Sequence, residues 1–197
     1  MPRPETRERI MQATVRTLSV EGYSKTTARA IAKTGGFAPG VIYYHFADLG
    51  DLFAATATYT SQRRLERYRA ETAEVSGATD LIGRLRVLYQ EDESSGHIAA
   101  IQELVAAAVT SPQLAETVRA ETARWQEFAE SVLNGLLGES PLAALLPVPE
   151  LAAAAVATYL GLEMLSHLHA ERYGAPAMFD AATRLAPLLD TILASDS

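Results

Sequence analysis

The chain has 197 residues, 48% apolar and 21% charged, a globular balance with ample length to bury a core. It contains no cysteine, which excludes disulfides and thiolate metal sites and suits a reducing compartment. The net charge of −7 hides a partition: residues 1–50 carry seven Lys and Arg against four Asp and Glu, leaving −10 beyond them. A basic segment of this kind is the electrostatic footprint of a phosphate-binding face, and an acidic remainder would orient the encounter.

The first residues, Met1-Pro2-Arg3-Pro4-Glu5, have no apolar run of the kind a secretory leader carries, so a cytoplasmic location is expected. Ile10, Ala13, Thr14, Thr17 and Leu18 then trace one face of a helix expected over residues 4–20. The next stretch, Thr26 to Phe46, reads as two short helices around a glycine turn. Thr26 is an N-cap candidate, and Ala28, Ile31 and Ala32 form a small apolar face. Gly35-Gly36 stops the first helix, and Pro39 suits the first turn of the second, which runs to about His45. Helix, tight glycine turn, helix is the helix-turn-helix arrangement, whose second helix enters the DNA major groove.

Asp48 is placed to cap a fourth helix reaching about Ala73, with Arg63, Arg64, Arg67 and Arg69 interleaved with Glu66 and Glu71 as a solvated charged face. Val75 to Ala78 marks a boundary. Further helices are expected from Leu81 to the stop at Ser94-Ser95-Gly96, over residues 97–109, and from Ser111-Pro112 to about Leu137. Residues 138–149 read as a loop punctuated by three prolines. The helix expected over 150–172 is apolar or small on almost every side through Leu162, so it must be covered on more than one face. It is short of a comfortable bilayer span before Glu163. The last helix, from about Pro176, has two adjacent stripes, one with Met178, Ala182, Leu185, Leu189 and Ile192, the other with Phe179, Ala186 and Leu193. Two stripes imply two surfaces to bury, with Pro187 inside the pattern.

The order Gly22-Tyr23, Thr26-Thr27, Ile31-Ala32, Gly36, Gly40 and Ile42-Tyr43-Tyr44-His45-Phe46 resembles the N-terminal domain of the TetR family of transcriptional regulators, over about Arg7 to Phe53. The resemblance implies an all-α chain of about nine helices. Residues 1–47 would form a three-helix DNA-binding domain, 48–76 a connecting helix, and 77–197 a helical ligand-binding and dimerisation bundle. Its implied partners are a pseudo-palindromic duplex, a small apolar or amphipathic inducer, and a second copy docked through the last two helices. DNA contacts fall on Lys25, Thr26, Thr27 and Arg29, and on Ala38, Pro39, Gly40, Val41, Tyr43, Tyr44 and His45 of the second helix. Two positions depart from the family pattern: Ala38 where Ser or Thr is usual, and Leu49 where Lys is usual. Arg3, Arg7 and Arg29 could carry part of the missing phosphate contact.

Large side chains available to line an inducer pocket are Tyr89, Trp125, Phe128, Tyr159 and Met164, with Glu103, Glu163 and His167 as polar groups. Aromatics at helical spacing equally serve as core. Glu163, His167 and Glu171 share a helical face but lack ligands from a second helix, so no metal site is expected. No phosphate loop, nucleophile elbow or cofactor signature occurs. The expected function is ligand-responsive repression, with no cofactor and no enzymatic activity. The alternatives are a helical enzyme without a recognisable site and a partner-binding protein that has lost DNA binding.

Overall fold

The computed structural model describes residues 4–138, 140–166 and 174–195. Among them lie ten α-helices, one 3-10 turn and no strand: α1 Pro4–Glu21, the 3-10 turn Tyr23–Lys25, α2 Ala28–Gly35, α3 Gly40–His45, α4 Leu49–Thr72, α5 Ala78–Ser94, α6 His97–Ala108, α7 Pro112–Leu137, α8 Pro141–Leu145, α9 Val148–Ser166 and α10 Ala175–Ser195. The all-α expectation holds. One element was not foreseen: the proline-marked loop contains α8, with Pro141 at its first position, where no N–H is needed; Pro149 stands likewise in the first turn of α9.

The chain forms two compact units that do not follow chain order. The first joins the residues up to Arg64 with Asp92–Glu121; the second joins Leu65–Glu91 with the residues from Thr122 onward. Where the sequence suggests a boundary at 75–78, the packing thus assigns α6 and the start of α7 to the same unit as α1–α3. The core of this first unit explains why. Ile10, Leu18, Ile31, Ile42 and Leu52 meet Ala100, Leu104, Ala107 and Leu114, all nearly or fully buried. Gly96 lets α6 begin beside α1: its φ is +77°, and a Cβ there would lie 2.9 Å from Ser19 Oγ. From α6 the Glu103 carboxylate accepts the Tyr23 amide at 2.6 Å, satisfying an orphan donor at the head of the 3-10 turn.

The first unit also holds a buried ion pair. Arg64 Nε donates to Asp92 Oδ2 at 2.6 Å, with the side chains 5% and 0% exposed.

In the second unit Tyr68 packs edge-on against Trp125 and Phe128, with ring centroids 5.1 and 6.3 Å away, over Leu65 and Leu88. Asp190 of α10 caps α5 from a distance, accepting the Ala78 amide at 2.6 Å and the Thr79 amide at 3.1 Å. The Thr79 hydroxyl bond, then these amides, hold the Asp190 carboxyl below the usual carboxylate range. A carboxyl depressed in the folded state contributes stability that is present above its unfolded value of about 3.9 and is lost as pH falls through the folded value. Asp190→Asn is therefore expected to shallow the acid limb of the unfolding midpoint below about pH 4. Parallel acid limbs in circular dichroism would refute this.

The two stripes of α10 behave differently. Phe179 and Ala186 are buried at 6% and 1%, whereas Leu185, Leu188, Leu189 and Ile192 stand open along the other face. On α9, Val148–Leu165 is long and apolar enough to cross a membrane by composition, with mean hydropathy 1.3, yet only 17% of that window is buried. Leu151, Met164 and Leu165 are among its exposed side chains. Pro187 is accommodated within α10.

Candidate nucleic-acid interface

The helix pair is built as its residue types dictate, with one shift. Thr27, not Thr26, caps α2, its hydroxyl accepting the Ala30 amide at 3.2 Å. Thr26 is 4% exposed, and its hydroxyl donates to the Gly22 carbonyl at 2.7 Å. Gly36 closes α2 in the left-handed conformation, φ +67°, and the Phe37 amide returns to Ala32. Ala38 and Pro39 open the next turn, their carbonyls accepting from Val41 and Ile42 at 3.0 and 3.1 Å.

In α3, Ile42 and the following Phe46 are buried at 0% and 2%, as four-residue spacing requires. The opposite side presents Tyr43 and Tyr44, 56% and 70% exposed. Beside them Ala38, Pro39 and Gly40 are exposed, His45 is half-buried, and the Tyr44 and His45 rings meet edge-on at 5.2 Å. Val41 is half-buried against the core, so it offers less to a duplex than its place in the helix suggests. Lys25, Thr27 and Arg29 are exposed on the preceding turn and helix, as is Lys33. Apart from Thr26, whose hydroxyl is committed inward, the structure gathers the proposed DNA-contacting positions onto α2, α3 and the turns before them.

Leu49 begins α4 half-buried and packed on the core, with Asp48 capping behind it, Oδ1 accepting the Asp51 amide at 2.8 Å. Arg7 is also more than a free cation: it donates to the His45 carbonyl at 3.3 Å and lies 4.4 Å from the Phe46 ring centroid. Arg3 lies outside the described residues.

The pocket candidates separate. Glu103 is in the first unit, engaged with Tyr23. In the second, Trp125 and Phe128 join Tyr68, while Tyr89 meets Tyr159 at 6.4 Å and Phe179 at 5.4 Å. Tyr68 and Phe179 were not anticipated, because residues contributed by α4 and α10 carry no local sign of this meeting. Glu163 is buried at 4%, Met164 is 61% exposed, and His167 lies outside the described residues, as does Glu171.

Comparison with known proteins decides what this head is. Residues 10–56 match the family model described as bacterial regulatory proteins, tetR family. Residues 10–56 are thus a head of the tetR-family type. An HTH-type transcriptional regulator of Mycobacterium bovis is 31% identical to this chain over 117 residues, 59% of this chain and 60% of that one, so the match leaves two fifths of that relative unmatched. The crystal structure of a TetR-family transcriptional regulator from Rhodococcus sp. superposes with a TM-score of 0.72 at 25% identity, covering 96% of this chain and 99% of that one. The fold alone is shared with the regulator FadR from Bacillus subtilis, solved in complex with stearoyl-CoA: TM-score 0.71, 18% identity, 90% and 96% coverage.

Proposed function

We propose that this chain is a regulator of the tetR family: a cytoplasmic, ligand-responsive repressor, without catalytic activity, that binds a pseudo-palindromic operator as a homodimer. The observation that carries this reading is the two-sided α3, with Ile42 and Phe46 anchored in the core and Tyr43 and Tyr44 presented outward. A short helix fixed from behind and polar in front is what a groove reader requires. Residues 1–47 would read DNA, 48–76 connect, and 77–197 bind ligand and dimerise, with α6 contributing to the reading head as well. The open Leu185, Leu188, Leu189 and Ile192 stripe, beside the largely exposed α9, supports a second copy as the cover. Two heads related by a two-fold would engage half-sites about 34–36 Å apart or slightly more.

Labelled duplexes from the region upstream of the chain's own gene provide the test. An inverted repeat there is expected to be retained against excess unrelated DNA; equal binding to every duplex, or to none, would overturn the reading. Tyr43→Phe is expected to weaken binding to all sequences by about fivefold, the ~1 kcal/mol net of one hydrogen bond to phosphate. Unchanged affinity would remove Tyr43 from the interface.

The inducer is proposed to be apolar or amphipathic, seated among the second unit's aromatics, in line with the stearoyl-CoA held by the Bacillus subtilis fold relative. Linkage requires inducer and operator to weaken each other by the same factor. Trp125→Leu should then reduce the release of labelled operator by long-chain acyl compounds, read as fluorescence anisotropy, while ligand-free DNA binding persists. A variant that instead unfolds, with no apolar compound shifting wild-type affinity, would return these rings to a purely core role.

A further inference from the structure

Three successive residues of α1 reach three different helices of the head, and we propose that Arg7-Glu8-Arg9 is a clasp in which Arg7 and Arg9 act as positioning residues for the DNA-reading pair. The proposal rests on the DNA-binding reading above. Successive helical residues fan out by about 100°, so three in a row can serve three neighbours. Arg9 Nη2 donates to the carbonyl of Gly35, the last residue of α2, at 3.1 Å. Arg7 Nη1 donates to the carbonyl of His45, the last residue of α3, at 3.3 Å. Between them, Glu8 Oε1 accepts from Gln12 at 3.1 Å, from Tyr59 of α4 at 2.8 Å and from Arg63 of α4 at 2.6 Å.

Both arginines perform the same task. The final carbonyls of a helix lack intrahelical donors and carry the negative end of the helix dipole, so a cation is favoured there. Each guanidinium also faces the aromatic ring that follows its helix: Arg9 Cζ lies 5.9 Å from the Phe37 centroid and Arg7 Cζ 4.4 Å from that of Phe46. A flat guanidinium can lie on a ring while its edge donates; an ammonium supplies charge without that fit. Most of the apolar core beneath, Ile10, Ile31, Ile42 and Leu52 among it, lies behind the Phe37 and Phe46 rings that the arginines face. Loss of a clasp arm should therefore loosen a helix end and leave the unit folded.

The competing role for an exposed arginine here is a phosphate contact, and charge-preserving substitution separates the two. In the full chain, Arg7→Lys is expected to speed amide exchange at Phe46 by about fivefold, the size such a terminus contact supports. It should lower operator affinity by a similar factor while non-operator affinity and the salt slope stay at wild-type values. Arg9→Lys should do the same with exchange at Phe37. A phosphate contact predicts the reverse: Arg7→Lys like wild type, and Arg7→Met weaker on every duplex, with the salt slope reduced by nearly one. That result, or unchanged exchange at Phe46 in Arg7→Lys, overturns the clasp. If the wild-type chain prefers no duplex, the DNA reading fails, and exchange at Phe46 and Phe37 still decides the clasp.

Discussion

Asp92→Ala is expected to destabilise the first unit by about 3–5 kcal/mol, whereas Arg63→Ala should cost no more than about 1 kcal/mol. Both substitutions break a 2.6 Å ion pair, so distance does not separate them. Burial does. The Arg64 and Asp92 side chains are 5% and 0% exposed, so deleting the carboxylate removes the charge that faces Arg64 Nε at 2.6 Å where water replaces little of it. The Arg63 and Glu8 side chains are 60% and 41% exposed, and solvent replaces what is lost. The double replacement Arg64→Leu with Asp92→Leu should recover part of the stability lost by Asp92→Ala, because much of the penalty lies in keeping a buried charge after its 2.6 Å partner is gone. Urea midpoints of the wild type and these three variants check this. An Asp92→Ala loss no larger than that of Arg63→Ala would mean that water reaches the pair.

Leu185→Arg combined with Leu188→Arg is expected to turn the proposed dimer into a monomer. These side chains are 58% and 61% exposed in a single chain and sit on one stripe with Leu189 and Ile192. Burying a leucine contributes about 1.5–3 kcal/mol, and an arginine forced into the same interface also brings an unpaired charge. Together they should raise the dimer dissociation constant by at least about a thousandfold, or ~4 kcal/mol. Operator binding should weaken with it, since one head alone reads half the site. Sedimentation equilibrium over a wide concentration range gives the answer. A double variant that stays dimeric would place the interface elsewhere. A wild-type monomer that pellets with lipid vesicles would instead assign the exposed face of α9 to a bilayer.

What could be read from the sequence follows the range of the interactions responsible. The glycine turn, the inward Ile42 and Phe46, the Asp48 cap and the Ser111-Pro112 start depend on neighbours within a few residues, and each stands where its residue type places it. The α2 cap slipped by one because Thr26 and Thr27 are equivalent by composition; a carbonyl four residues back, on Gly22, claims the first hydroxyl. Glu103 gave no hint that it serves Tyr23, which lies 80 positions earlier in the chain. Arg7 read as a spare cation because its partner carbonyl is 38 positions away. Half-burial of Val41 and Leu49 was equally hidden, since helical spacing alone does not say how close the core wall stands.

The divided make-up of the first unit sets an order of events during synthesis. The DNA-reading helices leave the ribosome first, but Leu104, Ala107 and Leu114, which help cover Ile10, Leu18 and Ile31, follow only after roughly sixty to seventy more residues and thus several seconds of elongation. Over that interval the nascent head has secondary structure but an unfinished core, and its bare apolar side is a natural target for a holdase. A chain arrested near Glu91 is expected to be cleaved readily by protease within α1–α3, and one arrested far enough past Leu114 for that residue to clear the exit tunnel to resist.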